Sequence, residues 1–344
     1  MWDKRWCRGV WSLAFLLGSV FCLWRLSGCP GPPAGCSLLI PNFSPLLPAN
    51  FSSAPPPYPL HLLSPQDPTT LINLTEFSFL SLPTPCNDTP LIVAAVHSAP
   101  LNFVNRQIIR STWGTAIKVV FMLGESNSSK VASQLDLEMK EFGDVVQGSF
   151  LDTYRNLTYK HAMALKWTTY YCPGARYMLK TDDDVFVNTA ALQKLIRKEL
   201  SPLGARRLIL CDIVEHALAQ RTFRSKWRVS PSEYPNRYYP PYCTGWAILY
   251  SPDVVFKLYS EAQQTPYFWI DDVHITGTLA SMINITQTHS KHLMRLPKQC
   301  QNMVDNESLV DRYGDVIFCL TKIKNIPKLW YLVDEASHLS ATQT

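Results

Sequence analysis

Nowhere in this 344-residue chain do five like charges stand in a row, and the formal net charge is only +5. A basic face able to track a phosphate backbone has no trace here, so nucleic acid is not an expected partner. None of the ten cysteines sits in a C-x-x-C pair, the spacing common to thiol redox centres and many zinc sites. Apolar length is also short. The segment GVWSLAFLLGSVFCLW, residues 9–24, offers sixteen uncharged residues, against about 20 for an average bilayer.

What is present points to the secretory route. Thin early-secretory membranes accept a short span, and Lys4, Arg5 and Arg8 ahead of it favour a cytoplasmic N-terminus. The expected arrangement is a cytoplasmic tail (1–8), a retained transmembrane signal-anchor (9–25) and a lumenal remainder. A cleaved signal peptide is the plain alternative, since LSG at 26–28 offers small residues for cleavage. Eight of 14 asparagines stand in N-x-S/T acceptors, the mark of a glycoprotein surface. The expected glycan sites are Asn42, Asn50, Asn73, Asn127, Asn284 and Asn306, with Asn87 weakened by the nearby Pro90. Cys86, Cys172, Cys211, Cys243, Cys300 and Cys319 suit disulfides in an oxidising lumen, and spacing does not fix their pairing.

Residues 26–90 hold most of the prolines, in runs such as CPGPP and APPPYP. This composition favours extended chain and reads as a disordered, glycosylated stem. From residue 91 to 344 the pattern is that of one folded domain. LIVAAVHS, KVVFMLG, DVVQGSF and ARYMLK are short apolar runs, as strands of a mainly parallel sheet would be. Between them, NRQIIRSTWG, SSKVASQLDLEMKEFG and NLTYKHAMALKWTTYYC read as helices. Such α/β alternation puts ligand sites at the carboxyl ends of strands.

Asp182, Asp183 and Asp184 stand at one such end. Three adjacent carboxylates are tolerable when a hard divalent cation and a diphosphate sit among them. In an Asp-x-Asp arrangement the first and third side chains can face one side, so Asp182 and Asp184 are the expected metal ligands. Asp183 then falls nearer the substrate or a structural partner. A solvated acidic turn is the plain alternative.

RQIIRSTWG (106–114), FLDTYRNLTYKHAMALKW (150–167), KTDDDVFVN (180–188), YPPYCTG (239–245) and DDVHITG (271–277) occur in that order. Together they resemble the β-1,3-galactosyltransferase family, which includes related N-acetylglucosaminyl- and N-acetylgalactosaminyltransferases. The resemblance covers roughly residues 90–300 and implies a GT-A fold, a UDP-sugar donor, Mn²⁺, inversion at the anomeric carbon and type II anchorage in the Golgi membrane. It also implies a glycan acceptor on glycoprotein or glycolipid. By position, the triplet becomes the metal and donor site, and Asp272 becomes the base that takes the acceptor proton. Asp271 is expected to cap the following helix or to meet the acceptor. Arg106 and Arg110, one helical turn apart, suit the donor phosphates, with ion pairs that brace the domain as the alternative. Lys180 is expected at the triplet or the nucleotide, and Gly245 at a close backbone approach to donor or acceptor. Tyr239 and Tyr242 could stack on sugars. Asn156 lies inside a shared block and is discounted as a glycan site.

Three departures from the family stand out. Trp246 follows Gly245 where relatives carry small residues, so it should reshape the acceptor pocket. Asp271 replaces a glutamate. The stretch DVIFCLTKIKNIPKLW (315–330) lacks the histidine that completes the metal shell in many relatives. His289 and His292 are possible substitutes. A catalytically silent, sugar-binding or chaperone-like lumenal relative is the competing reading, and the intact DDD and DDV blocks argue against it.

Overall fold

The apolar run after residue 91 becomes a strand with no exposed face: every residue of β2 (Val93–His97) is buried. In the computed structural model, which describes residues 58–306 and 316–342, β2 lies at the centre of an eight-stranded sheet. It pairs in parallel with β3 (Lys118–Glu125) and β5 (Met178–Asp182), and β3 pairs in parallel with β4 (Val145–Leu151). All four occupy the expected runs. The flanks differ from the expected mainly parallel sheet. β1 (Phe79–Ser81) is antiparallel to β4, and β10 (Ala247–Tyr250) is antiparallel to both β5 and β7 (Ile209–Cys211). The fold is therefore mixed α/β around a large central sheet. Among the described residues no helix is long and apolar enough to cross a membrane. The expected tail and anchor, and Asn42 and Asn50, lie outside the described residues.

The helices follow local rules. Helix α1 (Phe103–Ser111) follows β2. Helix α2 (Ser129–Phe142) starts where the Ser128 hydroxyl accepts the Val131 N–H, and it stops at Gly143, whose φ of 60° a side chain would resist. Helix α3 (Leu157–Tyr171) has no solvent face over residues 158–169. It is wedged between the sheet and an outer layer formed by α4 (Pro252–Ala262) and the segment Asp272–Leu279. A helix buried all round must satisfy its polar side chains internally. Lys160, His161 and Lys166 each do so.

Residues 58–90 do not behave as the stem that their composition suggests. Leu71 and Phe77 are fully buried in the main core, and β1 extends the sheet. Asp67 is buried and accepts from Tyr170, Tyr259 and Gln263, while Cys86 is bonded to Cys172. The folded domain thus begins well before residue 91. Each of these bonded partners lies more than 60 residues along the chain, which a local reading of proline content does not reveal. The other disulfides join Cys211 to Cys243 and Cys300 to Cys319.

Register sets the site. His97 lies opposite Asp182 across β2 and β5, and Ala247 lies opposite Thr181 across β10 and β5. The ends of three central strands meet at one edge, with the aspartates at the middle.

Candidate active site

A cleft of about 710 Å³ opens at that edge. His97, Lys180, Asp182, Asp184, Gly245, Asp271, Asp272 and Leu320 are among the residues that line it. The triplet divides its labour as the spacing suggests. Asp183 turns away from solvent and accepts from the Ser98 hydroxyl at 2.6 Å, from Asn102 at 2.8 Å and from Asn105 at 3.1 Å. It ties β5 to the start of α1, so its structural alternative prevails over the expected donor contact. Asp182 keeps 40% of its side chain exposed, and Asp184 is exposed. Partial burial in the cleft, then the charges of Asp182 and Asp183, push the Asp184 carboxyl up to about 6. The Asp182 and Asp184 side chains both line the cleft.

Lys180 serves the triplet. Its ammonium lies 2.9 Å from Asp182 Oδ1 and also donates to the Gly245 carbonyl. Burial works against this charge, but Asp182, Asp271 and Asp272 outweigh it and hold the group above the ordinary lysine range. One buried cation therefore bridges both acidic walls.

Asp272 is the first residue of a π-helical stretch, Asp272–Leu279, a wide-turn geometry often found at functional sites. The turn is pinned from outside, because Thr276 Oγ1 donates to the Asp272 carbonyl and accepts the Cys243 N–H. The Asp272 carboxyl lies close against the Gly245 backbone. Burial first, and the neighbouring Asp271 charge second, raise it well above the usual carboxylate range. Asp271 shows the opposite behaviour. Burial opposes its charge, yet the hydrogen bond from His161 and the Lys180 ammonium hold it below the usual value. It makes no side-chain cap, contrary to one expectation, because His161 occupies it at 3.3 Å. Two adjacent acids pushed apart in this way form a proton acceptor and a fixed anion.

Other expectations need correction. Arg106 and Arg110 do not reach the cleft. Arg106 is fully buried and forked onto Glu138, and Arg110 bridges Glu138 and Asp144 at 2.7 Å each. Arg106 also donates to Ser98, the same hydroxyl that holds Asp183. Their role is bracing, because the helix turn that aligned them faces α2 and not the strand ends. Tyr239 is buried in an aromatic cluster with Tyr234, Phe268 and Trp269, and Tyr242 packs edge-on against it. Neither lines the cleft. Trp246 does line it, and its carbonyl accepts from Thr181 Oγ1. His289 and His292 lie off the cleft, His289 beside Asp212 at 3.9 Å.

Sequence reasoning missed Tyr154, Trp227 and Trp269, which form an aromatic wall. Trp227 Nε1 donates to the Tyr154 hydroxyl at 2.7 Å, and the Tyr154 and Trp269 rings lie 6.1 Å apart. Trp227 sits in RSKWRVS, a lone tryptophan among charges, which is a usable signal for an exposed contact residue. It also missed Lys160, which reaches from α3 to Asp152 and to the Ser98 carbonyl.

The carboxylates of Asp182, Asp184 and Asp272 thus line one cleft at the strand ends of a mixed α/β sheet. The galactosyltransferase family model matches residues 104–291, more than half of the chain. Human beta-1,3-galactosyltransferase 5 is 32% identical over 244 residues, which is 68% of this chain and 78% of that protein. Human N-acetyllactosaminide beta-1,3-N-acetylglucosaminyltransferase 4 is 30% identical over 299 residues, or 82% of this chain and 78% of that protein. The chain belongs to the galactosyltransferase family and is a glycosyltransferase.

Proposed function

We propose that this chain is an inverting β-1,3-hexosyltransferase of GT-A architecture, which moves galactose, N-acetylglucosamine or N-acetylgalactosamine from a UDP-sugar to a glycan hydroxyl. It works as a type II protein of the Golgi membrane, with the catalytic domain in the lumen and the acceptor on a glycoprotein or glycolipid. The observation that carries this reading is one cleft lined by Asp182, Asp184 and Asp272, with the buried Lys180 ammonium 2.9 Å from Asp182.

The acceptor hydroxyl gives its proton to the Asp272 carboxylate as its oxygen bonds to the anomeric carbon. The bond from that carbon to the diphosphate oxygen breaks, and its electron pair leaves with UDP. Attack opposite the leaving group inverts the centre. Lys180 keeps positive charge beneath both walls, and Trp246 with the Tyr154–Trp227–Trp269 wall gives flat apolar faces against which a sugar ring packs.

Among the described residues no group of three or more His, Cys, Asp and Glu is placed to hold a metal. The fit to Mn²⁺ therefore rests on two oxygen donors, Asp182 and Asp184, with diphosphate and water completing the shell. An Asp184 carboxyl whose charge is poorly supported by the protein alone suits a pair that shares a cation. When bound, the ion neutralises the departing diphosphate. The exposed Asn73, Asn127, Asn284 and Asn306 are proposed to carry glycans. Asn156 is not, because its amide donates to the Leu151 carbonyl and Thr158 is fully buried.

The test is transfer by the purified protein with Mn²⁺, screening UDP-Gal, UDP-GlcNAc and UDP-GalNAc against a small glycan panel. One donor should be turned over with inversion. Asp272→Asn should abolish transfer and leave UDP binding near normal. Absence of turnover with every pair, alongside retained sugar binding, would sink the enzyme reading.

A further inference from the structure

His161 lies in the middle of α3 with no exposed surface, yet it is not an inert core residue. Its Nδ1 is 3.3 Å from Asp271 Oδ2, and its Nε2 is 3.1 Å from the Tyr250 hydroxyl. An ionised carboxylate only accepts, so Nδ1 must carry the imidazole proton. In the neutral ring Nε2 is then an acceptor, and the Tyr250 O–H donates to it. Burial keeps both groups in these states, holding Tyr250 protonated and His161 uncharged. The result is a one-directional chain, Tyr250 to His161 to Asp271, running from β10 through α3 to the wall of the cleft. Its last member is the sequence neighbour of Asp272, so the chain ends beside the residue that bears the carboxyl proposed to react.

We propose that His161 is a positioning residue for the transfer reaction: by donating to Asp271 it keeps that carboxylate a fixed anion, so that of the adjacent pair only Asp272 takes the acceptor proton. The inference rests on Asp272 being the base. Two neighbouring carboxylates cannot both remain charged cheaply, and a shared proton settles on whichever is less well solvated by donors. Asp271 has the His161 donor, while the Asp272 carboxyl lies against the Gly245 backbone. Without His161 the proton would shift towards Asp271, and the first turn of the π-helical segment would lose its lateral anchor. His97 packs edge-on against the imidazole, with ring centroids 5.4 Å apart. It fixes the ring plane.

The experiment compares His161→Phe, His161→Asn and Tyr250→Phe with Asp272→Asn in the full chain, measuring kcat, donor KM, UDP binding and melting temperature. His161→Phe should lower kcat by about tenfold or more, within the range that general-base catalysis supplies, with donor KM within about twofold of the parent. His161→Asn, whose Nδ2 replaces Nδ1, should restore most of kcat. Tyr250→Phe removes one oxygen and should lower kcat by less, in the same direction. It also carries the test if His161→Phe does not fold. Parental kcat in His161→Phe or Tyr250→Phe, or an asparagine variant as impaired as the phenylalanine one, would overturn the proposal. Transfer by Asp272→Asn would remove the base assignment together with it. An inactive Asp272→Asn beside a fully active His161→Phe would remove only the His161 role.

Discussion

Gly245 and Asp272, 27 positions apart in sequence, touch so closely that no side chain fits between them: a Cβ on Gly245 would lie 1.9 Å from Asp272 Oδ1. The contact sets the carboxyl of the proposed base against the residues that lead into β10. Gly245→Ala should leave the fold intact, since the obstructing atoms are the tip of one side chain that can swing aside. The swing displaces the base, and kcat should fall about 10²-fold, the scale of a 1 Å misplacement. Steady-state transfer assays beside a melting curve check this. An alanine variant with parental kcat would show that the carboxyl position does not matter.

Arg106 should matter for stability and not for donor affinity. Its guanidinium is fully buried, with Glu138 and the Ser98 hydroxyl as partners. Removing one partner of a buried pair costs about 3–5 kcal/mol. Arg106→Ala should therefore lower the denaturation midpoint strongly, with donor KM of the folded fraction changed little. A selective rise in KM at parental stability would restore a phosphate role.

The Asp184 carboxyl, pushed up to about 6, would tie the proposed Mn²⁺ binding to pH. A raised carboxylate pKa gives stability that is present below the unfolded value of about 3.9 and lost as pH rises through about 6. A cation that replaces the proton recovers that loss. The melting-temperature gain from Mn²⁺ should thus grow from pH 5 to pH 7, and Asp184→Ala should shrink it and weaken Mn²⁺-dependent UDP binding. Equal gains at both pH values would take Asp184 out of the metal shell.

Cys86 and Cys172 close a loop across 86 positions and hold residues 58–86 to the main domain. Replacing both by alanine should cost about 2–5 kcal/mol and make cleavage near residue 80 faster in limited proteolysis. A double variant with unchanged unfolding and cleavage would show that the apolar contacts of Leu71 and Phe77 suffice.

The site was legible in part. The aspartates, Lys180, Gly245 and the Asp271–Asp272 pair were found because they sit at strand and helix ends, where local pattern and site position coincide. Asp183 turned inward between Asp182 and Asp184 also matches the Asp-x-Asp spacing, in which the first and third side chains can address one side of the turn. Tyr239 and Tyr242 went the other way, since an aromatic-rich loop reads the same whether its rings pack on one another or on a ligand. Arg106 and Arg110 were ambiguous for a related reason: spacing puts them on one side of a helix but does not say which side faces the strand ends. His161 gave no local signal, because its two partners lie 110 and 89 positions away.

By itself the sequence determined the four parallel strands, the helices between them and the acids at one strand end, because these depend on apolar period, capping residues and glycine stops within a few positions. Tertiary structure alone decided where the folded domain begins, which carboxylates Arg106 and Arg110 meet and which of two adjacent aspartates meets the buried His161. Those outcomes depend on burial and on partners brought together across many tens of residues, and no local pattern encodes the dielectric or the hydrogen bonds that such meetings create.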